Sequence, residues 1–494
     1  MTSLILFYYY VTMKTQNPIR LVLDRALPVP LGVQLRGLIQ WGISSGDLKP
    51  GDRLPSVRDL MARERASPVT VQRAIARLAG EGLVEPRPGR GTFVAAPAGP
   101  PASGAERAPD LSWQSVALGP RAVDDTALQE LLALPPAGAI PLSGGYLDPD
   151  LQPLAAVAAA LARAARRPGT WGRGPVEGRE DLRAWFAREA GGRLRAHDIV
   201  VCPGGQSAIA TAFRALAVPG ETILVESPTY VGAIAAARAA GLRIVPVASD
   251  ADGVRPDLLG DALRRTGARV FYSQPTFANP HGATLAPGRR EAVLDRVAAA
   301  GAFLIEDDWA RDLAIGDAPP PLAAADRDGH VVYLRSLTKS AAPGLRIAAV
   351  GARGAAGARL RAVRLVDDLF VSGPLQEAAL DLVTSPAWRR HLRRLRAALR
   401  ERRDALAGAV ERNVPDLRVT GLPAGGLHLW AALPDDVDDV AAAAAAAARG
   451  VVVYPGRPWF PADPPGPFLR LTFAAAPPEA LDEGARRLAV ALRR

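Results

Sequence analysis

The sequence predicts an α/β chain of two unequal units: a short basic head at residues 18–95 and a large unit at 136–494, joined by a linker over 96–135. Three observations carry this prediction. The first 95 residues show helical apolar spacing and then one hairpin signature. A Pro-, Ala- and Gly-rich stretch without apolar period follows. Beyond it, short apolar runs recur between alanine-rich segments, the pattern of a mainly parallel sheet wrapped by helices.

In the head, Leu31, Leu35, Leu38 and Ile39 form one stripe of an amphipathic helix that stops between Gly42 and Gly46. Ser56 is placed to cap a second, short helix through Val57, Leu60 and Met61. From Ser67-Pro68, the spacing of Val71, Ala74, Ile75 and Leu78 sets a third helix, ended by Gly80-Glu-Gly82. Leu83–Glu85 and Thr92–Val94 are two short strands, and Pro86-Arg-Pro-Gly-Arg-Gly91 is the basic tip between them. Helix, helix-turn-helix and basic hairpin describe a winged helix. In the large unit the expected strands are Ile199–Cys202, Thr222–Val225, Arg243–Val247, Val270–Ser273, Phe303–Glu306, Val331–Leu334 and Ile347–Val350. Helix Trp388–Val410, strand Gly426–Ala431, the alanine run 441–448 and strand Phe468–Phe473 suggest a smaller α+β lobe at the end.

Composition narrows the function classes. With 49% hydrophobic and 22% charged residues among 494, intrinsic disorder is excluded. A single cysteine, Cys202, rules out an internal disulfide, and the apolar opening Leu4–Val11 is far shorter than the roughly 20 residues that span a bilayer. A cytoplasmic location is therefore expected; no metal-ligand pattern emerges, and residues 1–12, with Met13 as an alternative start, enter no argument. Residues 13–94 hold +6 of the total +10, so the head is the polyanion-facing part. Lysine is almost absent, at 3 against 57 arginines, and Lys339 is the last of the three. Guanidinium cannot be deprotonated to act as an amine nucleophile, so a lysine retained alone in the large unit points to amine chemistry.

The head resembles the GntR winged-helix family through Gly46-Asp-Leu-Lys-Pro-Gly-Asp-Arg-Leu-Pro-Ser-Val-Arg-Asp-Leu60, Val69-Thr-Val-Gln-Arg-Ala-Ile75 and Gly89-Arg-Gly-Thr-Phe-Val94. The resemblance implies that the helix from Ser67 enters the major groove and the wing crosses beside it. It assigns double-stranded DNA contacts to Arg58, Ser67, Thr70, Gln72 and Arg90, with Arg73 either a phosphate ligand or solvated surface. Arginine reads guanine and glutamine reads adenine, while hydroxyls hold phosphates, so the residue types agree. Pro68 departs from the polar residue often found at its position.

Lys339 lies in Ser336-Leu-Thr-Lys-Ser-Ala-Ala-Pro-Gly-Leu-Arg346, which resembles the Schiff-base segment of fold-type I aminotransferases. The resemblance implies a covalent bond from Lys339 to pyridoxal 5′-phosphate (PLP), with Ser336, Thr338 and Arg346 around its phosphate. Pro203-Gly-Gly-Gln-Ser207 would add Gly205 and Gln206 at a helix start. Tyr230 would stack on the ring, Asn279 of Asn-Pro-His-Gly282 would donate to the phenolic oxygen, and Asp307 would pair with the ring nitrogen. Arg470 would grip an effector's α-carboxylate, with Gly145 beside it. Two departures stand out: Trp309 replaces a usual tyrosine, and Arg173 stands where a tyrosine normally reaches the partner subunit's phosphate.

A winged helix joined to an aminotransferase-like unit is the architecture of MocR-type regulators, a branch of the GntR family. The resemblance implies a homodimeric, PLP-dependent transcriptional regulator that senses an amine, an amino acid or PLP itself. A working aminotransferase with an accessory DNA-binding head is the alternative reading.

Overall fold

Polar caps start two of the three helices of the head, and Pro30 precedes the other. The computed structural model describes residues 30–64, 66–87, 90–96, 110–118 and 124–493. Residues 1–12, the start of the head from 18, the wing-tip pair Pro88-Gly89 and most of the Pro-rich linker, 97–109, lie outside the described residues. Helices α1 (Leu31–Ser45), α2 (Val57–Glu64) and α3 (Pro68–Gly80) are followed by strands β1 (Val84–Arg87) and β2 (Gly91–Val94). Gly46, at φ 80°, lets the chain leave α1 in a left-handed turn. Ser56 and Asp59 cap α2 reciprocally: the Asp59 N–H donates to Ser56 Oγ at 3.1 Å and the Ser56 N–H to Asp59 Oδ2 at 3.2 Å. Ser67 caps α3 by accepting from the Thr70 N–H at 3.2 Å, with Pro68 at the first helical position. The wing pairs antiparallel, Arg87 opposite Gly91, with both strands starting one residue away from the expected limits.

The head's core is small: Leu35, Ile39, Leu60, Val71, Leu78, Val84 and Val94 supply most of it. Leu78 is fully buried there. Leu78→Ala is therefore expected to cost about 2–5 kcal/mol, a large share of what so small a core provides. Calorimetry should show the head's transition shifted down or lost and the large unit's transition unmoved; a common downward shift of both would refute the head as a separate cooperative unit.

By internal contacts the chain divides between Pro120 and Arg121. This differs from a linker running to 135, because helix Thr126–Leu132 belongs to the second unit. Leu128 and Leu131 anchor it on a cluster that includes Trp430, Tyr454 and Trp459. Seven residues are too few to declare a helical period in sequence.

The large unit contains β3 (Ile140–Pro141), β4 (Ile199–Cys202), β5 (Thr222–Ser227), β6 (Arg243–Asp250), β7 (Gly253–Val254), β8 (Val270–Ser273), β9 (Phe303–Asp307), β10 (Val331–Ser336) and β11 (Ala348–Gly351). Its main sheet has the order β4-β11-β10-β9-β8-β5-β6-β7. β11 runs antiparallel to both neighbours and β7 to β6, while the central pairs are parallel. β4, β5, β8, β9, β10 and β11 are buried along almost their whole length, as the unbroken apolar runs require of a sheet covered on both faces, whereas β6, toward the edge, is mostly not. Cys202 is buried on β4, where burial pushes its thiol up to about 12, so it is chemically inert.

The terminal lobe is a four-stranded sheet, β12 (Arg418–Val419), β13 (His428–Ala432), β16 (Phe468–Thr472) and β15 (Tyr454–Pro455) in spatial order, with helix Pro386–Asn413 packed on β12 and β13 and helix Pro478–Leu492 packed on that helix. β14 (Val451–Val452) pairs in parallel with β3, tying the opening of the unit into its closing lobe. No described helix is long and apolar enough to cross a membrane.

Candidate cofactor site and nucleic-acid interface

The carboxyl ends of the parallel strands, where ligands of open α/β sheets bind, open onto a cavity of about 380 Å³. Lys339 stands three residues beyond β10. Its amine donates to the Gly145 carbonyl at 2.8 Å and lies 3.7 Å from the Tyr146 ring centroid. Burial, joined by the guanidiniums of Arg470 and Arg346, lowers its pKa to about 7 against the opposing charge of Asp307. Near neutrality much of this amine is unprotonated, the form that attacks an aldehyde.

Asp307 ends β9 in the same cavity. Its Oδ2 accepts from the Tyr272 hydroxyl at 2.5 Å and from Gln274 Nε2 at 2.8 Å, whereas Oδ1 is buried with no partner. Burial outweighs both donors and raises its pKa to about 6. Glu306 accepts from the Leu322 and Ala323 amides, and Asp308 accepts from the Tyr333 hydroxyl and Arg311 on Oδ2, its Oδ1 also being buried without a partner. Of the three acids, Asp307 alone lines the cavity.

Another part of the cavity wall is built for an anion. Helix Gly205–Leu216 starts there, and a Cβ on Gly204 (φ 104°) would run into the Arg346 guanidinium. Arg346 itself sits in the left-handed region, at φ 49°, and donates to the Pro203 carbonyl at 3.0 Å. Such a backbone costs a non-glycine residue about 1 kcal/mol or more and persists where its surroundings enforce it. Ser336 and Thr338 line the cavity with them, and Thr338 Oγ1 is buried without a partner. Gln206 donates to the Gly232 carbonyl at 2.8 Å; any side chain on Gly232 would collide with the Tyr230 ring and Gln206 Oε1.

Asn279 and Arg470 complete the wall. Arg470 is fully buried, donates to Asn279 Oδ1 at 3.2 Å and to the Ser143 carbonyl, and has its guanidinium 4.4 Å from the Trp459 ring centroid. Among the described residues no carboxylate pairs with it, and burial lowers its pKa to about 9. A buried cation in this condition is matched by a carboxylate-bearing ligand.

Gly145, Gly205, Gln206, Tyr230, Asn279, Asp307, Ser336, Thr338, Lys339, Arg346 and Arg470 thus share one cavity. Arg173 does not: it is exposed and outside this lining. Trp309 spends its indole N–H on the Phe277 carbonyl at 3.2 Å, so it replaces the missing tyrosine's bulk and not its donor. His281 lines a different groove, where burial lowers its pKa to about 4. Sequence reasoning missed Tyr146, Gln274, His428 and the leucines 128, 131 and 132, all in the lining. Gln274 is central: its amide N–H donates to Glu226, its Nε2 to Asp307, and its Oε1 accepts from Asn279.

On the head, Arg58, Gln72, Arg73 and Arg90 are exposed, and none of the three arginines is in an ion pair among the described residues. Arg77 and Arg87 instead pair with Glu81 and Glu85. The Ser67 hydroxyl lies 2.8 Å from the Thr70 hydroxyl as well as capping α3, so its first role is to position Thr70. Val69, unforeseen from sequence, is 55% exposed on the first turn of α3, where an apolar side chain can meet a thymine methyl.

The pieces fit PLP: a nucleophilic lysine, an orphaned carboxylate oxygen for the ring nitrogen, an anion cradle at a helix start and an aromatic ring. They define a fold-type I, PLP-binding unit in a chain that also carries a winged helix. The comparisons give the family. Residues 140–488 match "Aminotransferase class I and II", and residues 32–94 match "Bacterial regulatory proteins, gntR family". The HTH-type transcriptional regulator TauR of Rhodobacter capsulatus is 30% identical over 93% of this chain and 96% of its own. The uncharacterised HTH-type transcriptional regulator YisV of Bacillus subtilis is 29% identical over 88% and 90%. Among solved structures, the α-aminoadipate aminotransferase LysN of Thermus thermophilus, complexed with N-(5′-phosphopyridoxyl)-L-leucine, aligns with a TM-score of 0.70 at 31% identity, over 75% of this chain and 95% of that one. The chain belongs to the class I and II aminotransferase family and carries a GntR-family head, the two parts that the MocR-type resemblance implies.

Proposed function

We propose that the chain is a PLP-dependent transcriptional regulator whose head reads double-stranded operator DNA and whose large unit senses a small amine or amino acid. The observation that carries this is the coexistence, in one chain, of an exposed basic reading surface with a cavity that joins Lys339, Asp307 and Arg470. Bound PLP supplies an electrophilic carbon and an electron sink. The chain's own residues do the rest. Lys339 would hold the cofactor covalently, Asp307 would keep its ring nitrogen protonated, and Arg346 with Ser336, Thr338 and the Gly205 and Gln206 amides would hold its phosphate. Arg470 would orient an effector's carboxylate, and Asn279, whose backbone N–H donates to Gln274, would donate to the phenolic oxygen. Effector binding shifts the DNA-binding state only to the extent that the two states differ in affinity for it.

A homodimer fits this reading, because exposed Arg173 can serve the phosphate of a second copy and two heads supply the contacts that a unique genomic site needs. Action on chromosomal DNA supports a cytoplasmic location. The aminotransferase alternative draws on the same Lys339, Asp307, Asn279 and Arg470; robust multiple turnover of amino donor with keto acid and no operator binding would establish it instead. Absence of a visible band on adding PLP would leave only a DNA-binding scaffold.

The regulator reading is tested at both ends. Arg58→Ala removes an exposed cation from the reading surface and is expected to weaken operator binding by about 1–3 kcal/mol, roughly 5- to 150-fold, with the PLP absorption band unchanged. Operator binding is measured by fluorescence anisotropy on chromosomal fragments around the gene. Unchanged affinity would remove Arg58 from the interface, and loss of the band together with binding would reveal misfolding.

A further inference from the structure

Helix Thr126–Leu132 is the first helix of the large unit after its boundary at Arg121, and it sets Leu128, Leu131 and Leu132 in the wall of the cofactor cavity. None of its residues is buried, and Leu132 is 57% exposed, so this apolar side is only partly covered by protein. The helix is nevertheless held in place. The Tyr454 hydroxyl donates to the Ala127 carbonyl at 2.5 Å, and Asp124 lies 3.6 Å from Arg238. Tyr454 stands opposite Arg470 across β15 and β16, with the guanidinium 5.6 Å from its ring centroid.

The cavity's charged groups each have a task in the proposed function. Asp307 and Arg346 serve the two ends of the cofactor, Lys339 its aldehyde, and Arg470 a carboxylate. His428 is no further cation, since burial beside Arg470 and Lys339 holds it well below the ordinary imidazole range. Among the described residues lining the cavity, no other charged side chain remains for the side chain of an effector. What remains is largely apolar and includes Leu128, Leu131, Leu132 and Ile209.

We infer that the effector is an α-amino acid with an uncharged, apolar side chain, and that Leu128 and Leu131 are the residues that read it. This rests on the proposed sensing role of the cavity. A charged terminus against these leucines loses hydration and gains no partner. An apolar one covers them, and each added methylene tightens binding roughly fourfold. The contact falls on the helix next to the segment that leads to the DNA-reading head, so the side chain that selects the effector also engages the start of that connection.

The test titrates PLP-loaded full-length protein with L-alanine, L-norvaline, L-norleucine, L-2-aminoadipate and L-lysine, following both the cofactor's absorption and the heat of binding. Affinity is expected to rise about fourfold per methylene from alanine through norleucine, with the acidic and basic analogues at least about tenfold weaker than norleucine. Leu131→Arg should favour aminoadipate over norleucine, and Leu128→Ala should weaken norleucine while sparing alanine. Retention of the PLP band shows that each variant is folded. If wild type prefers aminoadipate or lysine, or if neither variant alters the ranking, the side-chain assignment falls while the sensing role stands. If no amino acid binds although the PLP band is present, the sensing role fails and the inference goes with it.

Discussion

Lys339→Ala is expected to abolish the visible absorption band of PLP-loaded protein and every response to an added amino acid, while the head still binds operator DNA. The expectation follows from what the amine does and from what its removal leaves. Lys339 is the only lysine among the residues that line the cavity, and arginine cannot substitute as an amine nucleophile. Its removal does not threaten the fold. A buried amine whose pKa has been pushed down to about 7 is a desolvated group that the folded chain tolerates at a cost, and deleting it leaves only the Gly145 carbonyl without that donor. Lys339→Arg separates the two properties of the residue, since it restores a cation and not a nucleophile, and it should behave like the alanine variant. Absorption spectra and effector titrations of both variants, beside operator binding by anisotropy, read the result. A persistent band or an unchanged effector response would remove Lys339 from the centre of the mechanism.

The contrast between residues found from sequence and residues found only in space has a physical basis. Lys339 was legible because its residue type is nearly absent elsewhere, and Asp307 and Arg346 only through the resemblance of their segments to those of fold-type I aminotransferases. The central strands were legible because a sheet covered on both faces needs unbroken apolar runs, which β8 and β10 have. Gln274 was not legible. Its importance lies in three hydrogen bonds to Glu226, Asp307 and Asn279, on three separate segments, and no local spacing announces such a junction. β3 and β14, two residues each and more than 300 apart, are too short to carry a period, yet their pairing closes the terminal lobe. Helix Thr126–Leu132 failed for the same reason: its leucines acquire meaning only against Tyr454 and the cavity. Arg173 is a different case, because its expected role lies in a second copy of the chain.

PLP affinity is expected to fall as the pH drops, by up to about tenfold per pH unit below 7 and more steeply below 6. Two cavity groups set this profile, and their signs agree. Lys339 must be neutral to bond with the aldehyde, and its pKa of about 7 means that the free protein increasingly holds it protonated below that pH. Asp307 must be ionised to receive a protonated ring nitrogen on Oδ1, and its pKa of about 6 means that it increasingly carries a proton below that value. In each case binding releases a proton, so acid opposes binding. Asp307→Asn separates the limbs: the amide oxygen can still accept from Tyr272 and Gln274, but the Nδ2 that replaces Oδ1 donates where an acceptor is required. Loss of one charged hydrogen bond, about 1.5–3 kcal/mol, should weaken PLP roughly 10- to 150-fold at pH 7.5. It should also erase the steeper limb below pH 6 and leave the Lys339 limb in place. Equilibrium dialysis of PLP between pH 5 and 8 measures both, with phosphate binding alone followed as a control for the cofactor's own titration. A wild-type profile flat from pH 5.5 to 7.5 would show that neither group titrates where its burial places it.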